Sequence, residues 1–204
     1  MDRRESVVQI AGMRPFVSGM KSYLVKHGER EFEKEVEKER LKLEANEFLN
    51  LDAILEDVMI RLVMRPLREH VYDLFVKHYA ENGSLKTLAE NLRQAQNQSL
   101  HDLGASPKIL PPSAESLDNI LKYFEKLQYV DSPLEKLDYS LDAIYAIHNA
   151  VKHANAGRSD TLAADDLLPI VVWVLIQGKI FDAGIEAEFM WDLIHQHSLV
   201  PYNF

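Results

Sequence analysis

The chain has 204 residues, a formal net charge of −9 and no cysteine. The negative balance excludes a general nucleic-acid binder, which needs a basic face against phosphate, and a peripheral protein that relies on anionic lipids. Without cysteine there is neither a disulfide framework nor a thiolate metal site.

The opening Met1-Asp2-Arg3-Arg4-Glu5-Ser6 leads into no long apolar run, so no signal peptide is expected. The longest apolar run, Leu167 to Ile176, is far too short to cross a bilayer. These features set the expectation of a cytoplasmic protein without a transmembrane segment.

The apolar period is helical almost throughout. Glu29 to Glu47 reads as a charge-dense, solvated helix with few apolar positions (Phe32, Val36, Leu41, Leu43). Leu51, Leu55, Val58 and Leu62, then Leu67, Val71, Leu74 and Phe75, make one stripe, which Pro66 is expected to kink or split. Asn82-Gly83-Ser84 reads as a C′ glycine followed by an N-cap serine. Ser106 to Ser113, with Pro107, Pro111 and Pro112, is the best internal boundary.

Leu117, Ile120, Leu121, Phe124 and Leu127 share the next helical face. Ser132-Pro133-Leu134-Glu135 combines an N-cap serine, a proline at the first helical position and a glutamate at the third, which is a capping box. Leu137, Leu141, Ile144, His148 and Val151 form the stripe of the helix that follows, with His148 read as a core histidine. Ala156-Gly157-Arg158-Ser159-Asp160 is a short polar loop. The fold class expected is all-α, with about eight or nine helices: a helical bundle over residues 1–80 packed on an α-helical domain over 81–204.

Chemistry-bearing patterns are sparse. No Walker, dinucleotide-binding or nucleophile-elbow motif is present. His195-Gln196-His197 lacks the H-E-x-x-H spacing and reads as a surface pair, so no metal site is assigned. Glu186 and Glu188 flank no second acidic cluster.

The exception is Ala164-Asp165-Asp166-Leu167-Leu168-Pro169, two adjacent carboxylates at the mouth of the apolar run Ile170-Val171-Val172-Trp173-Val174-Leu175-Ile176. One reading is capping: Asp165 or Asp166 as N-cap, both favourable to the helix dipole, with Pro169 in the first turn. The other is presentation of a carboxylate to something outside the fold. One aspartate can cap while its neighbour points outward.

Ser132-Pro133-Leu134-Glu135-Lys136, followed by the Asp165-Asp166 motif and its apolar helix, resembles the vacuolar protein sorting 9 domain, the exchange module of Rab 5-class guanine nucleotide exchange factors. Phe48-Leu49-Asn50-Leu51-Asp52, Val63-Met64-Arg65-Pro66-Leu67 and Gly83-Ser84-Leu85-Lys86 resemble the helical segment that precedes this domain in the Ras and Rab interactor family. Ile185 to Leu193, with Trp191, continues the match, so the resemblance runs from Val17 to Leu193.

The resemblance implies a GTPase regulator without bond-making chemistry of its own, in endocytosis and early-endosome traffic. Asp165 would enter the nucleotide site of a Rab 5-class GTPase, pair with its phosphate-binding lysine and crowd its magnesium. Asp165, Asp166 and Pro169 would face the GTPase. Asp166 would be the cap and Pro169 would set the angle of entry. Ser132, Pro133, Glu135, Lys136, Trp173 and Trp191 would be structural motif residues. No cofactor is implied; the magnesium belongs to the GTPase. A Ras-type GTPase is implied only for regions that longer members carry. After Leu193 the family's glycine-rich turn and tyrosine motif do not follow. The resemblance therefore implies a C-terminally incomplete exchange domain, and no role passes to Tyr202. A non-catalytic Rab- or partner-binding helical module is the alternative.

Overall fold

A computed structural model describes residues 3–28, 30–44, 47–155 and 162–194. Among these residues the fold is all-α, with eight helices and no strand: α1 (Arg3–His27), α2 (Arg30–Arg40), α3 (Leu51–Glu81), α4 (Ser84–Ala95), α5 (Ala114–Tyr129), α6 (Pro133–Ala154), α7 (Ala164–Gln177) and α8 (Ala183–Leu193). The polar loop at 156–160 and the histidine pair at 195–197 lie outside the described residues.

Helix α3 runs unbroken through Pro66. A proline inside a helix costs about 3 kcal/mol through its missing N–H and its clash with the preceding turn. Ile60 and Met64 before Pro66, and Val71 and Phe75 after it, are all buried. At about 1.5–3 kcal/mol for each buried side chain, their packing outweighs the lost bond, so the helix is not split.

The buried face of α3 is Ala53, Leu55, Ile60, Met64, Val71 and Phe75. Val58 and Leu62, expected on the core stripe, are exposed. The helix ends at Asn82, and Gly83 takes φ +79°, the left-handed conformation that glycine adopts without strain. Ser84 is not the N-cap: Gly83 occupies that position, while the Asn82 side chain accepts from the Ser84 backbone N–H at 2.9 Å.

Two cores organise the packing. The first joins α1, α3 and α8 through Val17, Ile60, Met64, Val71, Phe75, Ile185, Phe189 and Leu193. Lys21 of α1 reinforces it at the surface, 2.8 Å from Asp52 and 3.1 Å from Glu56 of α3. The second core joins α5, α6 and α7 through Ile120, Ile147, Ala150, Val151, Ile170 and Val174. Leu117, Leu121 and Phe124 pack against it from α5, as their spacing predicts. Leu100 and Ala105, from the connection between α4 and α5, complete it.

Helices α5 and α6 form a hairpin across residues 130–132. Ser132 caps α6, accepting the Glu135 N–H at 3.3 Å, with Pro133 at the first turn. The buried face of α6 is Pro133, Lys136, Ala143, Ile147, Ala150 and Val151. Of the expected stripe Val151 lies on this face, whereas Leu141, Ile144 and His148 are exposed, and His148 is not a core histidine. Small residues on the true face let α5 and α8 approach closely, a signal that a search for large apolar side chains does not see.

Candidate functional site

The candidate site is the first turn of α7. Ala163 occupies the N-cap position and offers no side-chain cap. The aspartates therefore stand inside the helix, in its first turn, where the positive end of the dipole favours them. Asp166 is not the cap. Its Oδ1 accepts the backbone N–H of Ser106 at 2.8 Å, across 60 residues of sequence. Asp165 is exposed.

Pro169 is the sixth residue of α7 rather than part of its first turn. Its missing N–H is the one that would have bonded the Asp165 carbonyl, so it does carry a cost here. It packs beside Gly104, where an added Cβ would stand 4.0 Å from the Pro169 Cγ. Gly104 has φ +102°, a conformation that side chains other than glycine rarely adopt.

The helix sorts its residues by position rather than by polarity. Ile170 and Val174 are completely buried, while Leu168 is 69% exposed and Val172 also faces solvent. Asp165, Leu168 and Val172 fall on one face at i, i+3 and i+7. The outward surface is thus a carboxylate followed by an apolar ridge, next to a half-buried proline. Trp173 is partly buried and packs against the second core. Trp191 stands on α8 and is 82% exposed.

Ser132-Pro133-Leu134-Glu135-Lys136 lies apart from this surface and acts as a joint. Besides capping α6, the Ser132 hydroxyl donates to Asp57 of α3, and Arg61 bridges Asp57 at 2.7 Å and Glu135 at 3.4 Å. Lys136 is completely buried; its Nζ lies 2.8 Å from Glu186 of α8 and donates to the Leu127 carbonyl at 2.6 Å. The Tyr72 hydroxyl donates to Glu186 at 2.7 Å, and the ammonium lies over the rings of Tyr72 and Phe189.

Burial lowers the Lys136 pKa, and Glu186 opposes that shift. Burial, then the Glu186 charge, raises the Tyr72 hydroxyl well above its ordinary range. Beside this cluster, Arg68 reaches the Gln128 carbonyl and Asp131. Tyr72, Arg68 and Ser106 carry no signal in the sequence, and Glu186, expected only to flank no second acidic cluster, is the partner of Lys136. Among the described residues no cluster of His, Asp or Glu could hold a metal ion.

An all-helical module with two cores, tied by a buried ion pair and tipped by an acidic helix start, matches known domains over most of its length. Residues 117–202 match the vacuolar sorting protein 9 (VPS9) domain, and residues 1–71 match the RIN1-like domain. The chain is 44% identical over 195 residues to Protein sprint of Drosophila melanogaster, an alignment that covers 95% of this chain and 11% of that protein. It is 28% identical over 144 residues to Ras and Rab interactor 2 of Mus musculus, covering 71% of this chain and 15% of that one. Ras and Rab interactor 3 of Homo sapiens is 26% identical over 144 residues, with 71% and 14% covered. The chain therefore belongs to the VPS9-domain family, in the Ras and Rab interactor branch. It spans a small fraction of these relatives' length.

Proposed function

We propose that this chain is a guanine nucleotide exchange factor for a small GTPase of the Rab 5 class. Asp165 is the group that acts on the nucleotide site, and Pro169 and Asp166 stand at the same helix end. The observation that carries the reading is the exposed Asp165 at the entry of α7, with the exposed Leu168 and Val172 behind it, inside the stretch that matches the VPS9 domain. An apolar ridge behind a charge suits a docking surface, and among the described residues Leu168 and Val172 are left exposed. The names of the relatives, which include Ras and Rab interactors 2 and 3, support a GTPase partner.

The mechanism follows from Coulomb's law. A carboxylate that takes the place of phosphate beside the GTPase lysine removes the nucleotide's charge partner and repels what remains. At about 4 Å and an effective dielectric of about 20, such a pair is worth about 4 kcal/mol before desolvation. Each tenfold loss of nucleotide affinity needs about 1.4 kcal/mol, so the pair can supply nearly three decades. No cofactor is consumed. The setting that fits this activity is the cytoplasmic face of endocytic vesicles and early endosomes.

The test is release of labelled GDP from a panel of Rab GTPases. The chain should accelerate release from a Rab 5-class member, and Asp165→Ala should lower the acceleration by roughly 100-fold. Its melting temperature should fall little, since an exposed charge in a first helical turn contributes about 0.3–1 kcal/mol. Equal acceleration by the variant would remove Asp165 from the mechanism. Binding without any acceleration by the native chain would identify a non-catalytic module instead.

A further inference from the structure

Helix α7 holds its own first turn weakly. Ala163 provides no side-chain cap, and Pro169 removes the helical hydrogen bond to the Asp165 carbonyl. A carboxylate that must be aimed needs an external hold, because a small misplacement of a reacting group is costly.

The connection between α4 and α5 supplies one. Its first part is a closed turn: the Asp102 carboxylate accepts the Ser99 N–H at 2.8 Å and its hydroxyl at 2.7 Å, and Gly104 N–H donates to the His101 carbonyl at 3.0 Å. Leu100 and Ala105 anchor this turn in the second core, at 2% and 5% exposed. From that anchored base the chain reaches two places. Ser106 N–H donates to the Asp166 carboxylate at the start of α7. Four residues on, Leu110 N–H donates to the side chain of Asn155, the C-cap of α6, at 3.4 Å. The segment therefore braces both sides of the connection from α6 to α7, and Gly104 sits against Pro169 between them.

We propose that Asp166 is a positioning residue: its carboxylate ties α7 to residues 99–110 and so fixes the direction in which Asp165 projects. The inference rests on the exchange reading above and divides the aspartate pair by task. Asp165 meets the GTPase, and Asp166 turns into the fold to hold its neighbour in place.

The bond requires an acceptor at position 166 but not a charge, which makes the proposal testable with two variants. Asp166→Asn keeps a carbonyl oxygen for the Ser106 N–H; Asp166→Ala does not. Three quantities are read on each: stimulated GDP release, split into kcat and KM, amide hydrogen exchange at Ser106 and Ile147, and melting temperature. Asp166→Ala should lose at least tenfold in kcat with KM within about twofold, and the Ser106 amide should lose protection while that of Ile147 keeps it. Asp166→Asn should restore most of both.

Two equally impaired variants with Ser106 still protected in Asp166→Asn would overturn the proposal, since the charge would then act on the GTPase directly. Native kcat in Asp166→Ala would overturn it too, as would a parallel loss of protection at Ile147, which marks general unfolding. If the native chain accelerates no GTPase, the exchange reading fails separately, and protection of the Ser106 amide still decides whether the brace exists.

Discussion

Replacing Glu186 with leucine strips the buried Lys136 ammonium of the carboxylate 2.8 Å from its Nζ. The Leu127 carbonyl at 2.6 Å remains, as do the faces of Tyr72 and Phe189 at 5.6 and 5.4 Å. One neutral acceptor and two rings do not replace an anion around a group with no exposed surface. Removing one partner of a buried ion pair typically costs about 3–5 kcal/mol, because the other charge is left uncompensated. For a chain of this size each kcal/mol moves the melting temperature by about 2–4 °C, so Glu186→Leu should melt roughly 6–20 °C below the native chain. Circular dichroism at 222 nm, with urea titrations for the free energy, reads the change.

Lys136→Met combined with Glu186→Leu and Tyr72→Phe removes both charges and the hydroxyl together, and should recover much of the loss, since apolar replacements of buried pairs are often neutral. A single-variant cost under about 1 kcal/mol would refute the account of an uncompensated buried charge. A triple variant no better than Glu186→Leu would show that the polar contacts themselves, rather than their mutual compensation, hold the helices together.

Tyr72 gives a prediction in pH. Its folded pKa is raised above the ordinary 10.0, by burial first and then by the Glu186 charge. Above about pH 10 the unfolded state therefore releases a proton that the folded state keeps, and the stability contribution present below that pH is lost as pH rises. The gap in stability between the native chain and Tyr72→Phe should narrow from pH 9 to 11, by at most about 1.4 kcal/mol per unit; a constant gap would contradict the assignment. Gly104→Ala places a side chain at φ +102° and should cost about 1–3 kcal/mol in urea titrations. Because that turn carries Ser106, the same variant should lower the proposed exchange activity by more than the small population of unfolded chain explains.

The fold class was legible because helical periodicity is written in large apolar side chains, and α5 shows it plainly. The faces were less legible where burial is carried by small or polar residues. On α6 the buried row runs Pro133, Lys136, Ala143, Ile147, Ala150 and Val151, and three of its six members are a lysine and two alanines. A reading that seeks Leu and Ile selects Leu141 and Ile144 instead, one residue round the helix and largely exposed. The Ser132 cap of α6 was visible because Ser132, Pro133 and Glu135 are close in sequence, although the Glu135 carboxylate turns to Arg61. The joint with Asp57 and Arg61 was not, because its partners lie about a whole helix pair away, and the Glu186 pairing with Lys136 is hidden for the same reason.

The Asp165-Asp166 pair shows the limit most sharply. Propensity alone favours a helix cap, and the position of Pro169 looks compatible with one. Yet capping would need the carboxylate ahead of the first turn, whereas the helix begins at Ala164 and both aspartates fall inside it. Once neither carboxylate caps, each needs another reason to be where it is. Asp166 has one in Ser106, a contact that no local pattern announces. For Asp165 the described residues provide none, and its neighbours on the same face, Leu168 and Val172, are apolar and exposed. An exposed acid backed by exposed aliphatic side chains does little for the isolated fold, where surface charges contribute little and uncovered apolar area contributes nothing. The arrangement would gain energy when a second surface with a cation and an apolar rim closes over it, which is what the proposed exchange reaction asks of the GTPase.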